Sequence, residues 1–525
     1  MNQYYERNTK LIEHSINKYF EEILWMTDEE FVNWFTELRE TVVDIWDNDG
    51  IPPRVGYNKE GIEKQFRRMS SFKVHEFETV DVLTGEKDVI RNTSAVGNAA
   101  NQWFPTMMKT RINYKMNDDG LSIYDHFADP KLLEKTLKYA RRHFKKDSFY
   151  AYSEPIFKGQ TVKVGTIDYK IESGVDFINW FEKTARQYDQ YDYWLKPIKE
   201  DKKGYTGYND KLRDRSWLSI SQFKCSSVFT DLEQIPEGCK TNVGDYNNFE
   251  IMLFEKRQRL FPVGLKAFRV SWCQYAVNFP PLTAKYLYEK YTEHFKTQDM
   301  INIYDPSSGW GGRILGAMSI KDDRNINYVG TDPNTDHTIE DGRTKYEDLA
   351  DTYNDVRNSG VLFTHKNTYD MYQLGSEVIR ENEDFQKYKG KLDLVFTSPP
   401  YFAKEAYCED DTQSYKKFNT YDVWRDGFLR PTLETCVEYL RSDRYLLWNI
   451  ADAKFGKDML PLEKDSIDIL ESLGMKFVTK LKMSLAQMPG GNRIDTDTGL
   501  PKAKNFCKVN DIWLKYEPVY VFYKE

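Results

Sequence analysis

Residues Asp393–Tyr401 read DLVFTSPPY, an apolar run that ends in two consecutive prolines. The apolar residues of this run, Leu394–Phe396, predict the end of a buried central strand. The prolines stop that strand, because proline has no N–H for the strand ladder and fixes its φ angle. A rigid loop therefore follows at the carboxyl end of the strand, which is where open α/β sheets bind their ligands.

The composition indicates a globular protein of two or three domains. The chain has 525 residues, of which 40% are hydrophobic and 30% charged, and this length exceeds what one ordinary core holds. No apolar run approaches the roughly 20 residues of a membrane span, and the amino terminus lacks a signal-peptide core. The six cysteines form no Cys-x-x-Cys pair. We therefore expect a cytoplasmic protein with reduced thiols, no metal site and no membrane segment.

The net charge of −8 argues against a generic nucleic-acid coat. It does not exclude a DNA enzyme, because a local basic face can supply the attractive field. Three clusters could form such a face, and for each of them a solvated surface is the alternative. They are Arg141–Lys146, Lys109–Lys115 and Lys502–Lys508.

The pattern of the chain changes near residue 265, so we predict an N-terminal region, 1–265, and a C-terminal domain, 266–525. The N-terminal region reads as mainly helical α+β. Its predicted parts are helices over Thr9–Trp25 and Thr27–Trp46, strands and turns over 71–91, a basic helix over 131–146 and a tyrosine-rich loop over 184–215.

Strands alternate with helices in the C-terminal domain, which predicts an α/β fold with a mostly parallel sheet. The predicted strands are Ile301–Tyr304, Asn327–Thr331, Val361–Thr364, Leu392–Phe396, Tyr445–Asn449, Lys476–Leu485 and Pro518–Tyr523. The predicted helices are Gly312–Ile320, Thr338–Asn354, Asp422–Leu440 and Asp465–Leu473. The last two strands are long enough to form an antiparallel pair at the edge of the sheet.

A turn rich in small residues follows the first of these strands. Residues Tyr304–Arg313 read YDPSSGWGGR, and small side chains let the backbone approach a ligand closely. The second strand ends at Asp332, which lies 23 residues beyond Gly309, near the spacing expected for an acid that binds ribose hydroxyls. A dinucleotide site is the alternative, but its third glycine position holds Ile314.

Together these stretches resemble a known enzyme family. SPPY resembles motif IV, (D/N/S)-P-P-(Y/F/W), of the S-adenosylmethionine-dependent methyltransferases that modify adenine N6 or cytosine N4 in DNA. The glycine turn resembles motif I of the same enzymes, Asp-Pro-x-x-Gly-x-Gly. The resemblance implies a Rossmann-like seven-strand methyltransferase sheet and S-adenosylmethionine as the cofactor. It covers roughly residues 275–525, with the motif order X, I, II, III, IV.

The resemblance also implies the roles of individual residues. Those implied to be catalytic are Ser398, Pro399, Pro400 and Tyr401. Those implied to bind the cofactor are Asp305, Ser307, Gly309 and Gly311 of motif I, Asp332 of motif II, Asn367 and Asp370 near motif III, and Phe279 and Thr283 near motif X. Trp310 and Arg313 are unusual in motif I, and the sequence assigns them no role.

The inferred partner is DNA, with the target base flipped out of the duplex. The motif order leaves no room for a recognition domain in the usual places, so the N-terminal region is the expected reader of DNA sequence. An RNA base-amine methyltransferase is one alternative, and a nucleic-acid-binding protein with a vestigial methyltransferase fold is another. The sequence leaves open adenine or cytosine as the target, and it does not reveal a restriction partner or a homo-oligomer.

Overall fold

The computed structural model describes residues 26–49, 59–91, 99–112, 120–135 and most of 276–525, together with residue 96 and short strands between 149 and 254. The gaps after residue 276 are 323, 340–341, 360–366, 405, 409, 456–457, 486–499, 502–504 and 511. Several predicted features therefore lie outside the described residues. They are the helix Thr9–Trp25, the strand Val361–Thr364, the cluster Arg141–Lys146 and most of the stretches 131–146 and 184–215.

The helices and strands are numbered in chain order. The helices are α1 (Asp28–Asp49), α2 (Lys59–Ser71), α3 (Thr106–Lys109), α4 (Ile123–Ala128), α5 (Pro281–Thr292), α6 (Gly312–Met318), α7 (Lys345–Asn358), α8 (Ser414–Lys417), α9 (Tyr421–Trp424), α10 (Arg430–Tyr439) and α11 (Leu462–Ser472). The strands are β1 (Glu78–Thr79), β2 (Val89–Ile90), β3 (Phe149–Ser153), β4 (Thr161–Val164), β5 (Ile167–Lys170), β6 (Glu200–Asp201), β7 (Gly204–Tyr205), β8 (Ser227–Val228), β9 (Glu250–Phe254), β10 (Ile301–Asp305), β11 (Ile326–Thr331), β12 (Thr368–Tyr372), β13 (Leu392–Thr397), β14 (Leu440–Asn449), β15 (Ala453–Phe455), β16 (Asp458–Leu460), β17 (Lys476–Ser484), β18 (Phe506–Val509) and β19 (Ile512–Lys524).

One large sheet organises the C-terminal half. Its strand order is β12-β11-β10-β13-β14-β19-β17, and β2 and β1 continue it beyond β17. The strands from β12 to β14 are parallel, and β19 runs antiparallel to both β14 and β17. The order reverses at β10, because the chain moves outward to β12 and then returns to β13. This is the α/β Rossmann-like methyltransferase fold, as predicted.

The middle of the sheet is covered on both faces. Every residue of β11 and β13 is buried, as expected of parallel strands that are covered on both faces, and neither strand shows an alternation of apolar and polar residues. Phe396 packs on Phe279 and Tyr288, on the α5 side of the sheet. Val395 belongs to a second apolar cluster that includes Trp424 and Leu433. The core therefore lies on both sides of the strand that leads into the proline loop.

Part of the N-terminal region belongs to this same structure. β2 pairs in parallel with β17, with Val89 opposite Lys482. Side chains of α1, α2 and the segment 96–112 share one hydrophobic cluster with β10, α6 and α7. Among the described residues, one hydrophobic cluster therefore extends across the predicted boundary between residues 265 and 266. The role of the N-terminal region in reading DNA sequence stays a prediction.

The helix predicted over Thr27–Trp46 is confirmed as α1, and its start shows why. Thr27 Oγ1 accepts from the backbone N–H of Glu30 at 3.2 Å, while Glu30 Oε2 accepts from the backbone N–H of Thr27 at 2.7 Å. This reciprocal pair is a capping box. The antiparallel pairing predicted for the last two strands is confirmed by β17 and β19. None of the helices in the described part of the chain has the length and apolar character of a membrane span.

A buried ionic cluster fixes the N-terminal hairpin to the sheet. Lys482 Nζ lies 2.7 Å from Asp81 Oδ2 and 2.8 Å from Asp88 Oδ2. Asp81 Oδ1 also accepts from the backbone N–H of Lys508 at 3.0 Å. Burial raises the pKa of Asp81, but the hydrogen bonds from Lys482 and the Lys508 backbone outweigh it, so this pKa lies below its usual value. The carboxylate therefore stabilises the fold in its charged form.

The substitution Asp81→Asn should lower the free energy of unfolding by about 3 kcal/mol, since it removes one partner of a buried ion pair. The difference in the free energy of unfolding between the variant and the wild type should be largest at neutral pH. It should shrink as the pH falls below about 4, because the wild-type carboxylate then takes up a proton as well. Urea unfolding at several pH values measures both effects. Asp299→Asn at an exposed site is the matched control, and an equal loss in the two variants would contradict this role of Asp81.

Candidate active site

The predicted site residues gather at the carboxyl edge of the parallel strands. In the sheet register, Tyr304 of β10 lies beside Val395 of β13 and Val329 of β11. Three loops therefore leave neighbouring strands at the same edge. They are the glycine turn after β10, the loop that begins at Asp332 after β11, and the proline loop after β13. This edge is the topological switch point of the sheet, where ligands of α/β proteins bind.

The Asp305 carboxylate lies at the centre of this edge and is fully buried. Its Oδ2 accepts from Arg313 Nε at 2.7 Å and from the Tyr328 hydroxyl at 2.5 Å. Its Oδ1 accepts from Thr397 Oγ1 at 2.7 Å and from the backbone N–H of Ser307 at 3.2 Å. With both oxygens engaged, Asp305 positions the turn and the end of β13 and does not reach the surface of the site. A direct contact between Asp305 and a cofactor stays an untested prediction.

Arg313, which the sequence leaves without a role, is the counter-ion of Asp305. Burial lowers the pKa of Arg313, but the negative charge of Asp305 more than compensates, and the net effect raises this pKa above its usual value. The guanidinium also donates to the Ser307 carbonyl and lies over the Phe279 ring at 5.7 Å. Both ends of the glycine turn are thereby held by one buried cation.

The turn itself needs glycine at two positions. Gly309 and Gly311 have φ angles of +61° and +73°, in the left-handed region that other residues avoid. A Cβ atom at Gly311 would also lie 2.4 Å from Cε2 of Phe104. At Gly309 the nearest atom to a Cβ would be Arg313 Nη2, at 3.5 Å. The backbone is therefore tightly packed at Gly311 and more open at Gly309, which suits a ligand that approaches Gly309.

Asp332 lies beside this turn, as the spacing predicts. Its Oδ2 accepts from the backbone N–H of Gly309 at 3.1 Å, and its Oδ1 accepts from the backbone N–H of Asn334 at 3.0 Å. The carboxylate keeps 12% of its surface exposed. His337 Nδ1 is 3.4 Å from Oδ1 and 2.8 Å from the Tyr346 hydroxyl. Motifs I and II thus meet through a direct hydrogen bond, and the acid remains accessible to hydroxyl donors.

The two residues predicted near motif III do not follow a strand as expected, and their contact with a cofactor stays a prediction. Asn367 and Asp370 were expected to follow the third strand, but β12 itself runs from Thr368 to Tyr372. Asn367 is buried at the amino end of that strand and donates to the carbonyl of Ile320 at 2.9 Å. Asp370 lies in the middle of the strand and accepts from the Tyr388 hydroxyl. The carboxyl edge is occupied instead by the residues after Tyr372, beginning with Gln373.

Phe279 and Thr283, predicted near motif X, lie beneath the start of α6. The Phe279 ring packs on Phe396 with 5.2 Å between ring centroids, and a Cβ at Gly312 would clash with its carbonyl oxygen at 2.1 Å. Thr283 is fully buried in the first turn of α5, and its hydroxyl has no hydrogen-bond partner among the described residues. Phe279 therefore supports the glycine turn, and direct contact of either residue with a cofactor stays a prediction.

The proline loop follows β13 as predicted. Pro399 is buried, whereas Ser398, Pro400 and Tyr401 remain partly exposed. Their strand is fixed to motif I by the bond between Thr397 and Asp305. A serine hydroxyl, two proline carbonyls and an aromatic ring are therefore presented together at the edge of the sheet.

The aromatic residues after this loop divide into two groups. Phe402 is buried, adopts a φ angle of +54° and packs on Trp424 and Phe455. Trp424 is fully buried and donates to Ser414 Oγ at 3.0 Å, so it belongs to the core. Tyr407 instead packs edge-on against Trp310 at 5.6 Å. Tyr407 therefore links the proline loop with the glycine turn.

Sequence reasoning missed a segment that crosses this site from the N-terminal region. Residues Asn101–Arg111 pack over the glycine turn, and Phe104 lies against Gly311. The only sequence signal is a compact run, AANQWFP, of small, amide and aromatic residues within the uncharged stretch 92–108. No spacing rule connects this run with residues two hundred positions away, so the contact is a property of the folded chain alone.

A comparison with protein-family models finds no match, and neither does a comparison with curated proteins. Solved structures that resemble the chain include S-adenosylmethionine-dependent methyltransferases. One is such an enzyme from Methanosarcina mazei, with 11% identity, a TM-score of 0.25, and coverage of 44% of this chain and 96% of that one. Another, assigned as a DNA modification methylase from Thermus thermophilus, has 17% identity, a TM-score of 0.17, and coverage of 26% and 47%.

A third similar structure is a precorrin-6y C5,15-methyltransferase from Geobacter metallireducens. It has 10% identity, a TM-score of 0.24, and coverage of 45% of this chain and 86% of that one. Likeness at such low identity and TM-score carries no argument about activity. The strand order assigns the fold, and the residues of the site carry the information about function.

The substitution Gly311→Ala should damage the site much more than Gly390→Ala. Both glycines have left-handed φ angles, but a Cβ at Gly390 meets no atom within 4 Å. Gly390→Ala should therefore cost only the conformational strain, roughly 1–2 kcal/mol. Gly311→Ala adds the overlap with Phe104, typically about 1–3 kcal/mol more. Thermal unfolding measures the difference, and equal melting temperatures of the two variants would contradict the tight packing at Gly311.

Proposed function

We propose that the protein is an S-adenosylmethionine-dependent methyltransferase that methylates an exocyclic amine of a nucleic-acid base, with DNA as the substrate. The observation that supports this most strongly is the direct junction of the two predicted motifs. The Asp305 carboxylate binds Thr397, so the glycine turn and the proline loop form one unit at the carboxyl edge of the sheet.

The residues around the turn fit an adenosine-containing cofactor. Asp332 offers a partly exposed carboxylate oxygen to a ribose diol. Gly309 leaves its backbone open on one side, as close approach of a ligand requires. When bound, S-adenosylmethionine supplies an electrophilic methyl group on a sulfonium.

The proline loop suits the activation of an amine. The lone pair of an exocyclic base amine is delocalised into the ring, so the nitrogen is a poor nucleophile. The Ser398 hydroxyl and the Pro399 carbonyl can each accept one N–H of that amine and favour a tetrahedral nitrogen. Tyr401 can stack on the base. Positioning and electrostatics then supply the rate enhancement, without a covalent intermediate on the protein.

The choice of DNA over RNA follows from the likeness of SPPY to the DNA amino-methyltransferases, and RNA remains the second candidate. Two cations of the predicted basic stretch Lys109–Lys115 are already engaged within the protein. Lys109 lies over the Tyr124 ring at 4.3 Å, and Arg111 forms an ion pair with Asp125 at 2.9 Å. A basic face for nucleic acid must therefore draw mainly on other residues.

The purified protein should transfer labelled methyl groups to DNA, and mass spectrometry of the digested nucleosides should show N6-methyladenine or N4-methylcytosine. Labelled RNA in a parallel reaction tests the second candidate. The substitution Ser398→Ala should lower kcat on the order of 100-fold, since it removes a positioned hydrogen-bonding group. Its cofactor Kd should stay within about twofold of the wild type, because Ser398 is assigned to the base.

The matched control is Ser472→Ala, at the exposed end of α11, which should leave kcat unchanged. If Ser398→Ala is as active as this control, the catalytic role of the proline loop is refuted. If the wild type transfers methyl groups to neither nucleic acid, the proposed substrate class is wrong.

The substitution Asp332→Asn should weaken cofactor binding, in contrast to Ser398→Ala, which should lower kcat. The cofactor Kd should rise about tenfold or more, because a charged hydrogen bond to the ribose is lost. Isothermal titration with S-adenosylhomocysteine measures this without turnover. Asp336→Asn, four residues further on in the same loop, is the control. An unchanged Kd for Asp332→Asn would contradict the assignment to ribose.

A further inference from the structure

The segment Asn101–Arg111 packs against the glycine turn, and its residues 101–108 belong to no site that the sequence predicts. Asn278 Nδ2 donates both to Asn101 Oδ1 at 3.1 Å and to the Trp310 carbonyl at 2.6 Å. Phe104 follows Asn101 by three residues, and its ring fills the space where a Cβ of Gly311 would lie. On one side of Gln102, Asn101 is therefore linked to the turn through Asn278, and on the other side Phe104 contacts the turn directly.

The same segment contacts the loop that carries Asp332. Thr106 Oγ1 lies 3.0 Å from Nε2 of His337, and the other nitrogen of this ring lies 3.4 Å from Asp332 Oδ1. Trp103 Nε1 donates to Asp348 Oδ2 of α7 at 2.8 Å. The segment thus lies against both motifs expected to hold the cofactor.

The end of the segment reaches the loop on the side of the base. Arg111 and Ala406 exchange two backbone hydrogen bonds, of 2.9 and 3.0 Å. The Arg111 side chain is fixed by two bonds of 2.9 Å to Asp125. Ala406 precedes Tyr407, whose ring packs on Trp310. One continuous stretch therefore joins the glycine turn to the loop after SPPY.

Gln102 is the polar residue of this stretch whose side chain pairs with no described residue. Its side chain is 1% exposed, and neither its Oε1 nor its Nε2 has a hydrogen-bond partner among the described residues. A buried carboxamide with both atoms unpaired is costly. A bound ligand would remove this free-energy cost by supplying hydrogen-bond partners, because a carboxamide can donate and accept at the same time.

We infer that Asn101–Arg111 forms a wall of the cofactor site and that the Gln102 carboxamide hydrogen-bonds the bound cofactor. This inference rests on the proposed S-adenosylmethionine-dependent function. It gives part of the N-terminal region a role in cofactor binding, in addition to any role in reading nucleic acid.

The test compares two Gln→Leu substitutions in the full chain, with S-adenosylhomocysteine as the probe. Gln102→Leu should weaken binding about tenfold, since one buried hydrogen bond is lost. The melting temperature of the ligand-free variant should equal or exceed that of the wild type, because two unpaired polar atoms leave the interior. The stabilisation on adding the probe should shrink accordingly.

The matched control is Gln298→Leu, at the opposite edge of the sheet. Gln298 donates to Asp393 at 3.1 Å and accepts from Arg444 at 2.7 Å. This variant should melt at a lower temperature and bind the probe with unchanged affinity. The two substitutions are chemically identical. A variant that loses affinity but not melting temperature has lost a ligand contact, whereas one that loses melting temperature but not affinity has lost a structural contact.

Three results would overturn the inference. An unchanged Kd for Gln102→Leu would show that the carboxamide does not contact the cofactor. A loss of melting temperature as large as that of Gln298→Leu would show that Gln102 has an internal partner. A wild type that binds neither S-adenosylhomocysteine nor S-adenosylmethionine would remove the proposed function together with this inference, whereas the first two results leave the proposed function intact.

Discussion

The buried ion pair between Asp305 and Arg313 is the interaction on which the site depends. Two charges removed from water are tolerated only when their remaining hydrogen-bonding atoms are satisfied, and here Tyr328, Thr397 and the Ser307 backbone complete that set. Burial and the charge of Asp305 raise the pKa of Tyr328, so its hydroxyl stays protonated and donates. Each partner belongs to a different strand or loop, and the pair therefore fixes the relative positions of β10, β11, β13 and the glycine turn.

This arrangement separates residues that organise the edge from residues that face a ligand. Asp305, Arg313 and Phe279 are buried and saturated with contacts inside the protein. Asp332 and Ser398 keep exposed surface at the same edge. A sequence motif thus contains both kinds of residue, and only the three-dimensional contacts distinguish them. The same distinction singles out Gln102, which is buried like Asp305 and Arg313 but has no side-chain hydrogen-bond partner in the part of the chain that the structure describes.

The parts of the fold that could be predicted from the sequence are those that neighbouring residues determine. The strands β10, β11 and β13 were predicted within about one residue at each end, because short stretches rich in apolar and aromatic residues that end at turn residues mark strands. The strand β12 was not predicted, since the pattern TYDMY is polar and aromatic with only Tyr372 buried. Asn367 and Asp370 therefore lie beside and within a strand and not after it. The wall Asn101–Arg111 could not be predicted at all, because its contacts join parts of the chain that are distant in sequence.

The parallel pairing of β2 with β17 has a consequence for how the chain can be divided. β17 would be an edge strand without β2, with its backbone N–H and C=O groups unpaired along that side. Exposed edges of this kind recruit strands from other molecules and promote aggregation. Lys482 would then lose both of its buried carboxylate partners, Asp81 and Asp88. The hairpin from the N-terminal region thus protects the sheet against self-association, a protection that a fragment beginning at residue 266 would lack.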